Sequence, residues 1–336
     1  MKNLATETIK RPVIWALLLP EAGFRSQVMG LAEALNDLVH GTVIEKNVDL
    51  RTPWRYLPST LCPLPFLGLT ANSDRLLAPW PDLVIGCGRR TIPLALAIKR
   101  LSSGATKAVF IQDAKAAAPE FDLVFPMNHD GLQGPNVIAV DTALHRITPE
   151  KLASGRDHWR ARFEGLKRPL IGVVLGGSTA SLRFTEACAR DLVAKLERLA
   201  RETSAGFAIT PSRRTDQHAL AVMRDFALRQ PNTWLWDGEN DNPYFGILGL
   251  SDALIITEDS VSMVSEALIA GKPVATVPLE GHARRHKLFI DNLRAKGAVT
   301  RFDGTLPPTS NVTLPNATLR AADAVRDLLG IGPTVN

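Results

Sequence analysis

Cysteine is scarce in this 336-residue chain: Cys62, Cys87 and Cys188 stand far apart and form no Cys-x-x-Cys pair. Neither a disulfide framework nor a four-ligand zinc site follows from them, and a reducing compartment fits such usage. Long apolar runs are lacking too, since none approaches the ~18 residues that span a bilayer. Charge of one sign is in short supply: Lys plus Arg number 39 against 34 Asp plus Glu, a net of +5 with a pI near 9.2. So small an excess suits anionic small molecules or an anionic membrane surface and is too weak to indicate nucleic acid. Val13 to Leu19 follows Lys10 and Arg11 as the core of a secretory leader would. Yet it is short, Glu7 precedes it, and it runs into Pro20-Glu21 without a small-residue cleavage pattern, so it reads as a first strand. A cytoplasmic location is expected, peripheral to the inner membrane if the mild positive charge is used there.

What the chain does have is a globular composition, 45% hydrophobic and 22% charged, at a length that suggests two domains. In its first half, strands are expected at 13–19, 42–46, 82–86, 107–111, 121–125 and 136–140, separated by helices or short loops. That alternation argues for a mostly parallel sheet with ligands at the carboxyl ends of the strands. Gly23-Phe24-Arg25-Ser26-Gln27 reads as the loop after the first strand, Gly86 to Thr91 carries Arg89 and Arg90, and Gln112-Asp113 closes the fourth strand. Paired arginines supply forked donors for phosphate or carboxylate, against the alternative of two solvated charges. Pro53, Pro58, Pro63 and Pro65 make 52–65 an excursion that is neither regular helix nor central strand. It reads either as a flap facing a membrane or an acceptor, or as a surface loop packed on itself. His40, His129 and His145 sit beside connections and read as structural.

From Arg146 to Lys167 the pattern is polar and helical, and it is taken as a linker. The resulting division is 1–148 for a first lobe, 149–168 for the linker, 169–316 for a second lobe and 317–336 for a helix able to pack back on the first. The second half repeats the cycle. Leu170 to Leu175 is a strand, Gly176-Gly177-Ser178-Thr179 a Gly-rich turn, and a helix follows from Phe184. Two glycines and two hydroxyls between strand and helix can cradle phosphate, though the spacing is neither the dinucleotide fingerprint nor the P-loop. A strand at 206–210 leads to Pro211-Ser212-Arg213-Arg214-Thr215. A short strand beside Trp234 and Trp236 leads to Asn242-Pro243-Tyr244, and further strands are expected at 272–277 and 298–302.

The most informative stretch runs from Ala253 to Val274: an apolar strand, the polar Thr257-Glu258-Asp259-Ser260, a helical pattern, then Gly271 and Pro273 as closure. Val261, Val264 and Leu268 mark one side of that helix, with Ser262, Ser265, Glu266 and Ile269 on another. Free N–H groups and the helix dipole at its start, with a carboxylate one to two turns in, can hold a phosphate and a ribose hydroxyl together. The plainer alternative is that Asp259 or Ser260 only caps the helix. About six strands per half give an α/β chain with two doubly wound, Rossmann-like lobes facing a central cleft.

Ser212 to Thr215, Asn242-Pro243-Tyr244, Thr257 to Ala267 including Met263, and Gly271-Lys272-Pro273-Val274 together resemble the bacterial members of the mitochondrial fission ELM family. Gln27 to Leu35, Phe121 to Val124, His129-Asp130 and Gly176 to Ser178 are similar to it as well, so the likeness runs over most of the chain. The family is similar to glycosyltransferases of the two-lobe GT-B type. That implies a nucleotide-sugar site in the second lobe and an acceptor site in the first, with the acceptor side at Gly23, Arg25, Gln27, Arg89, Arg90 and Gln112. The chain departs from the family pattern at Glu258, where a small residue is expected, and at Ala114-Lys115 after Asp113.

The leading expectation is glycosyl transfer from a nucleotide sugar, with UDP as the expected carrier and no other cofactor. No strand ends in an Asp-x-Asp pair of the kind that holds Mg²⁺ on a diphosphate, so no metal is expected. His282 and His286 stand at i, i+4 but lack a third ligand. Gly177, Ser178, Thr179, Arg213, Arg214, Ser260 and Ser262 are the candidates for phosphate, Glu266 for the ribose, and Asp113 for a general base. Two alternatives stay open. One is epimerisation or hydrolysis of a nucleotide sugar, which would draw on Asp113, Glu258, Asp259 and His282. The other is a non-catalytic peripheral membrane or interaction protein using the basic run around Arg284-Arg285 and the proline-rich excursion. Sugar, acceptor and oligomeric state are not encoded in any motif.

Overall fold

The computed structural model describes residues 11–332. Lys10 and Glu7, on which the leader reading turned, lie outside them. The described residues divide into two compact units: one holds 11–140, 144–146 and 316–332, the other 141–143 and 147–315.

Unit 1 is a five-stranded parallel sheet of β1 (Val13–Leu18), β2 (Thr42–Asn47), β3 (Leu83–Cys87), β4 (Lys107–Ile111) and β5 (Leu123–Phe125), in the order β2-β1-β3-β4-β5. The apolar runs that mark β1, β3 and β4 in sequence are buried on both faces, as a helix-covered parallel sheet requires. Helices α1 (Ala22–Val39) and α2 (Ile92–Leu101) connect the strands. The sixth strand expected at 136–140 does not form. Val124 and Met127 make isolated parallel bridges to Val137 and Val140, with hydrogen bonds on either side of Pro126. Proline has no N–H to donate, so the ladder breaks there. The last helix, α9 (Ala317–Leu328), buries Ala317, Ala321, Ala322 and Val325 and packs on α1 within this unit.

Unit 2 carries a six-stranded parallel sheet in the order β13-β11-β10-β6-β8-β9. Its strands are β6 (Leu170–Leu175), β8 (Gly206–Pro211), β9 (Thr233–Leu235), β10 (Ala253–Thr257), β11 (Val274–Val277) and β13 (Thr300–Arg301). A two-residue antiparallel pair, β7 (Leu182–Arg183) with β12 (Glu280–Gly281), stands apart. The helices are α3 (Pro149–Phe163), α4 (Glu186–Thr203), α5 (Gln217–Arg229), α6 (Tyr244–Leu250), α7 (Val261–Ile269) and α8 (Arg284–Ala295). The expected linker is α3, and it is an integral part of unit 2: Gly155 and Gly246 let α3 and α6 approach so closely that a Cβ at either would overlap the other helix. Trp159 stacks on Phe163 and meets Trp234 beside them.

Candidate functional site

Every strand of the unit 2 sheet is parallel to its neighbours, so the loops after β6, β8 and β10 emerge together at one edge. The loop after β6 brings Gly176 and Gly177 against the other two. A Cβ on Gly176 would lie 2.0 Å from Asp259 Oδ1, and one on Gly177 would lie 2.0 Å from the Arg214 carbonyl oxygen. Only glycine permits this convergence. The glycines therefore serve the contact between loops, while β8 contributes Arg214 and β10 contributes Asp259.

Asp259 is the centre of the cluster, its side chain fully buried. Oδ2 accepts from the Gly177 N–H at 3.0 Å and from Arg214 Nη2 at 2.9 Å, and Oδ1 accepts from the Thr257 hydroxyl at 2.7 Å. Thr257 in turn accepts from the Gly176 N–H at 2.7 Å. A buried carboxylate is sustained by such donors, and here it fixes the guanidinium of Arg214. Arg214 remains 46% exposed, so much of its forked donor surface faces solvent. Arg213 beside it is exposed.

Ser212 and Thr215 knit the loop after β8. Thr215 Oγ1 donates to the Gly176 carbonyl and accepts from the Ser212 N–H at 2.9 Å, while Ser212 Oγ accepts from the Arg214 N–H at 3.2 Å. Thr179 was expected on phosphate. Its hydroxyl instead accepts from Ser181 and Leu182 N–H groups in the turn leading to β7. The Ser178 N–H donates to the Arg214 carbonyl at 3.2 Å.

Ser260 caps α7, accepting from the Met263 N–H at 3.3 Å. α7 does not have the two distinct faces its sequence suggests: Val264, Ser265, Glu266 and Ala267 are all buried, covering a full turn. Ser265 belongs to the scaffold: its hydroxyl donates to the Val261 carbonyl at 2.8 Å and accepts from the Ala143 N–H at 2.9 Å. Ser262 stays partly exposed. Glu266 accepts from the Tyr244 hydroxyl at 2.6 Å. Burial first, then the negative charge and hydrogen bond of Glu266, push the Tyr244 pKa well above its usual range. Asn242 sets Tyr244 in place by accepting its N–H at 2.9 Å. From Ser260 to Glu266 the helix rises about 9 Å at ~1.5 Å per residue, roughly the span from a diphosphate to its ribose.

One acidic position, Glu258, proves structural. Glu258 pairs with Arg294 of α8 and accepts from the Thr276 hydroxyl at 2.9 Å, which explains a carboxylate where a small residue was expected. In the sequence His286 stands out only as half of an i, i+4 histidine pair beside a basic run. Residues 284–286 in fact form the first turn of α8, and His286 faces the backbone of Asp259. Burial holds its pKa below the usual histidine value against the pull of Asp259, and Arg214 and Arg285 lower it further. Its spacing to Phe289, Ile290 and Leu293, the buried side of α8, was the signal available in sequence.

In unit 1 the residues expected on the acceptor side sit near the carboxyl edge, largely engaged with their own unit. Gly23, Arg25 and Gln27 are inside α1, where a loop was expected. Arg25 pairs with Glu45, and Gln27 donates to the Gly23 carbonyl at 3.2 Å. Arg90 joins Glu21 and Asp49, whereas Arg89 donates to the Leu57 and Arg55 carbonyls at 2.8 and 2.6 Å. Gln112 has φ 84° and bonds Phe125. Asp113 accepts from the Lys115 N–H at 2.8 Å and pairs with its ammonium. A hollow of about 440 Å³ opens beside Leu19, Arg25, Asn47 and Asp49. Among the described residues no group of three His, Cys, Asp or Glu side chains is placed to hold a metal ion, and no helix is long and apolar enough to cross a membrane.

Two parallel-sheet α/β units of this kind make a GT-B-type fold, and solved structures share it. The UDP-GlcNAc 2-epimerase of Methanocaldococcus jannaschii matches with a TM-score of 0.60 at 10% identity, covering 95% of this chain and all of that one. MurG of Acinetobacter baumannii matches at 0.51 and 15% identity, over 96% and 92%. The family model for mitochondrial fission ELM1 matches residues 22–329, and the chain belongs to that family. Mitochondrial fission protein ELM1 of Arabidopsis thaliana is 30% identical over 271 residues. That alignment covers 73% of this chain and 63% of the plant protein's length.

Proposed function

We propose that the carboxyl edge of the unit 2 sheet binds the diphosphate and ribose of a nucleotide sugar, and that the protein transfers the sugar to an acceptor. The observation that carries this reading is the placement of Arg214, fixed by buried Asp259, beside the start of α7 with Glu266 about 9 Å further along. Arg214, Arg213 and the α7 N–H groups would meet the charge of the diphosphate. A carboxylate accepts about four hydrogen bonds, so Glu266 can hold Tyr244 and a ribose diol together. The M. jannaschii epimerase, solved in complex with UDP-GlcNAc and UDP, has the same fold, which supports UDP as the first ligand to test.

In the transfer, an acceptor hydroxyl attacks the anomeric carbon, the bond to the diphosphate oxygen breaks, and the hydroxyl proton passes to a base. Epimerisation would need carboxylates able to take and return protons at the sugar. Glu258 is held by Arg294 and Thr276, and Asp259 by three donors, which favours transfer. Calorimetric titration of UDP tests the binding step. Wild type binds, and Arg214→Ala and Glu266→Gln each weaken binding by roughly 10- to 100-fold, as loss of a charge-assisted bond implies. Wild-type chain that takes up no UDP at millimolar concentration refutes the reading. Product analysis with and without acceptor then separates transfer from epimerisation.

A further inference from the structure

A surface that nucleotide binding does not use lies in unit 1, on the excursion between β2 and β3. Of the twelve exposed large apolar side chains among the described residues, five fall between positions 56 and 77: Tyr56, Leu61, Leu64, Leu67 and Leu77, each 60% exposed or more. Single exposed leucines are ordinary, whereas a cluster marks a contact surface.

The excursion is firmly built. Arg51 N–H donates to the Gly68 carbonyl at 2.8 Å and Thr70 N–H to Asp49 at 3.0 Å, closing its ends. The Trp54 indole donates to the Pro63 carbonyl at 2.9 Å and its ring lies on Gly68, where a Cβ would come within 2.4 Å. Arg89 grips the loop through the Arg55 and Leu57 carbonyls. Trp54, Phe66 and Leu69 pack on the unit 1 core. The loop thus sorts its apolar side chains into an inward set that anchors it and an outward set left exposed among the described residues. Leu64 has φ 43°, a left-handed conformation costly for leucine, at a position where it is 70% exposed and no burial offsets the strain.

Charge indicates what the outward set meets. No acidic residue occurs between Asp49 and Asp74, while Arg51 and Arg55 are exposed there and exposed Arg75 follows. The backbone makes two single 3₁₀ turns, Ser59–Leu61 and Pro65–Gly68, and offers no strand edge or helix face for a peptide to pair with. Protruding leucines and a tyrosine among arginines suit a fluid surface, which demands no matching shape.

We propose that this loop docks the protein on an anionic bilayer, with Tyr56, Leu61, Leu64 and Leu67 entering the boundary between headgroups and acyl chains and Arg51, Arg55 and Arg75 at the level of the lipid phosphates. Vesicle sedimentation of the full chain tests it, using phosphatidylcholine with about one third phosphatidylglycerol, and phosphatidylcholine alone. Wild type pellets with the anionic vesicles and at least roughly fivefold less with the neutral ones. Leu61→Asp with Leu64→Asp lowers partitioning by roughly 100-fold, with circular dichroism unchanged because both side chains are exposed. Arg75→Glu lowers it more weakly and in a salt-dependent way. Wild type that stays in the supernatant with both vesicles overturns the proposal, as does a double variant that pellets like wild type. Self-association abolished by the double variant, with no vesicle binding, also overturns it and makes the patch an interface between copies.

Discussion

Replacing Asp259 by Asn keeps the shape of the buried hub and removes its charge. Gly176 lies so close that a Cβ there would come within 2.0 Å of Asp259 Oδ1, and asparagine, equal in size, still fits. With its carbonyl towards Gly177 and Arg214, the new amide points an NH₂ at the Thr257 hydroxyl, which now donates there at 2.7 Å. The Thr257 hydroxyl can turn to accept that NH₂ on its second lone pair, at the loss of its own acceptor, and the ion pair to Arg214 is gone. A bond to a buried charged acceptor contributes about 1.5–3 kcal/mol, and at ~2–4 °C per kcal/mol for a domain of this size Tm falls by roughly 3–12 °C. Differential scanning fluorimetry reads it directly. Arg214→Ala combined with Asp259→Asn should fall short of the sum of the single effects, since both remove one interaction. An Asn variant melting within about 1 °C of wild type, or strict additivity, refutes the assignment of Asp259 as the anchor of Arg214.

Gly177→Ala forces a methyl to within 2.0 Å of the Arg214 carbonyl, which is backbone and cannot swing aside. Urea unfolding should register a loss of roughly 3 kcal/mol, whereas Gly165→Ala, in open space, should stay within about 0.5 kcal/mol. Tyr244 gives a signature at alkaline pH. Burial and Glu266 raise its folded pKa above the unfolded value of 10.0, so its contribution is complete below that pH and is lost as pH rises towards the folded value. Wild type should lose stability from about pH 10 upward more steeply than Tyr244→Phe, as denaturation midpoints along a pH series will report.

Legibility in the sequence followed periodicity. Strands β6, β8 and β10 are apolar runs ended by Gly, Pro or polar residues, and the structure places them within a residue or two of the pattern. The nine-residue α7 was legible as a helix, but its two faces were not, because it is covered around a full turn. Glu266 could be picked out as a carboxylate at the right distance from a helix start, but its Tyr244 partner is 22 positions away. Asp259 looked like a cap. Its part in fixing Arg214 depends on three loops meeting, which no local spacing reports. Pro126 shows the converse: it was visible in the sequence, and its missing N–H was enough to stop the strand expected at 136–140.

The helix α9 carries one more consequence. Unit 1 is assembled from the beginning of the chain and from residues 316 onward, with the whole of unit 2 threaded between. On a ribosome adding ~5–20 residues per second, the apolar side of α1 waits roughly 15–60 s for its cover. Unit 2 can finish first, and the earlier-made unit closes last. Until then the side of α1 that α9 packs on depends on something else for shelter, which makes the nascent chain, more than the finished one, the form of this protein that a chaperone would hold.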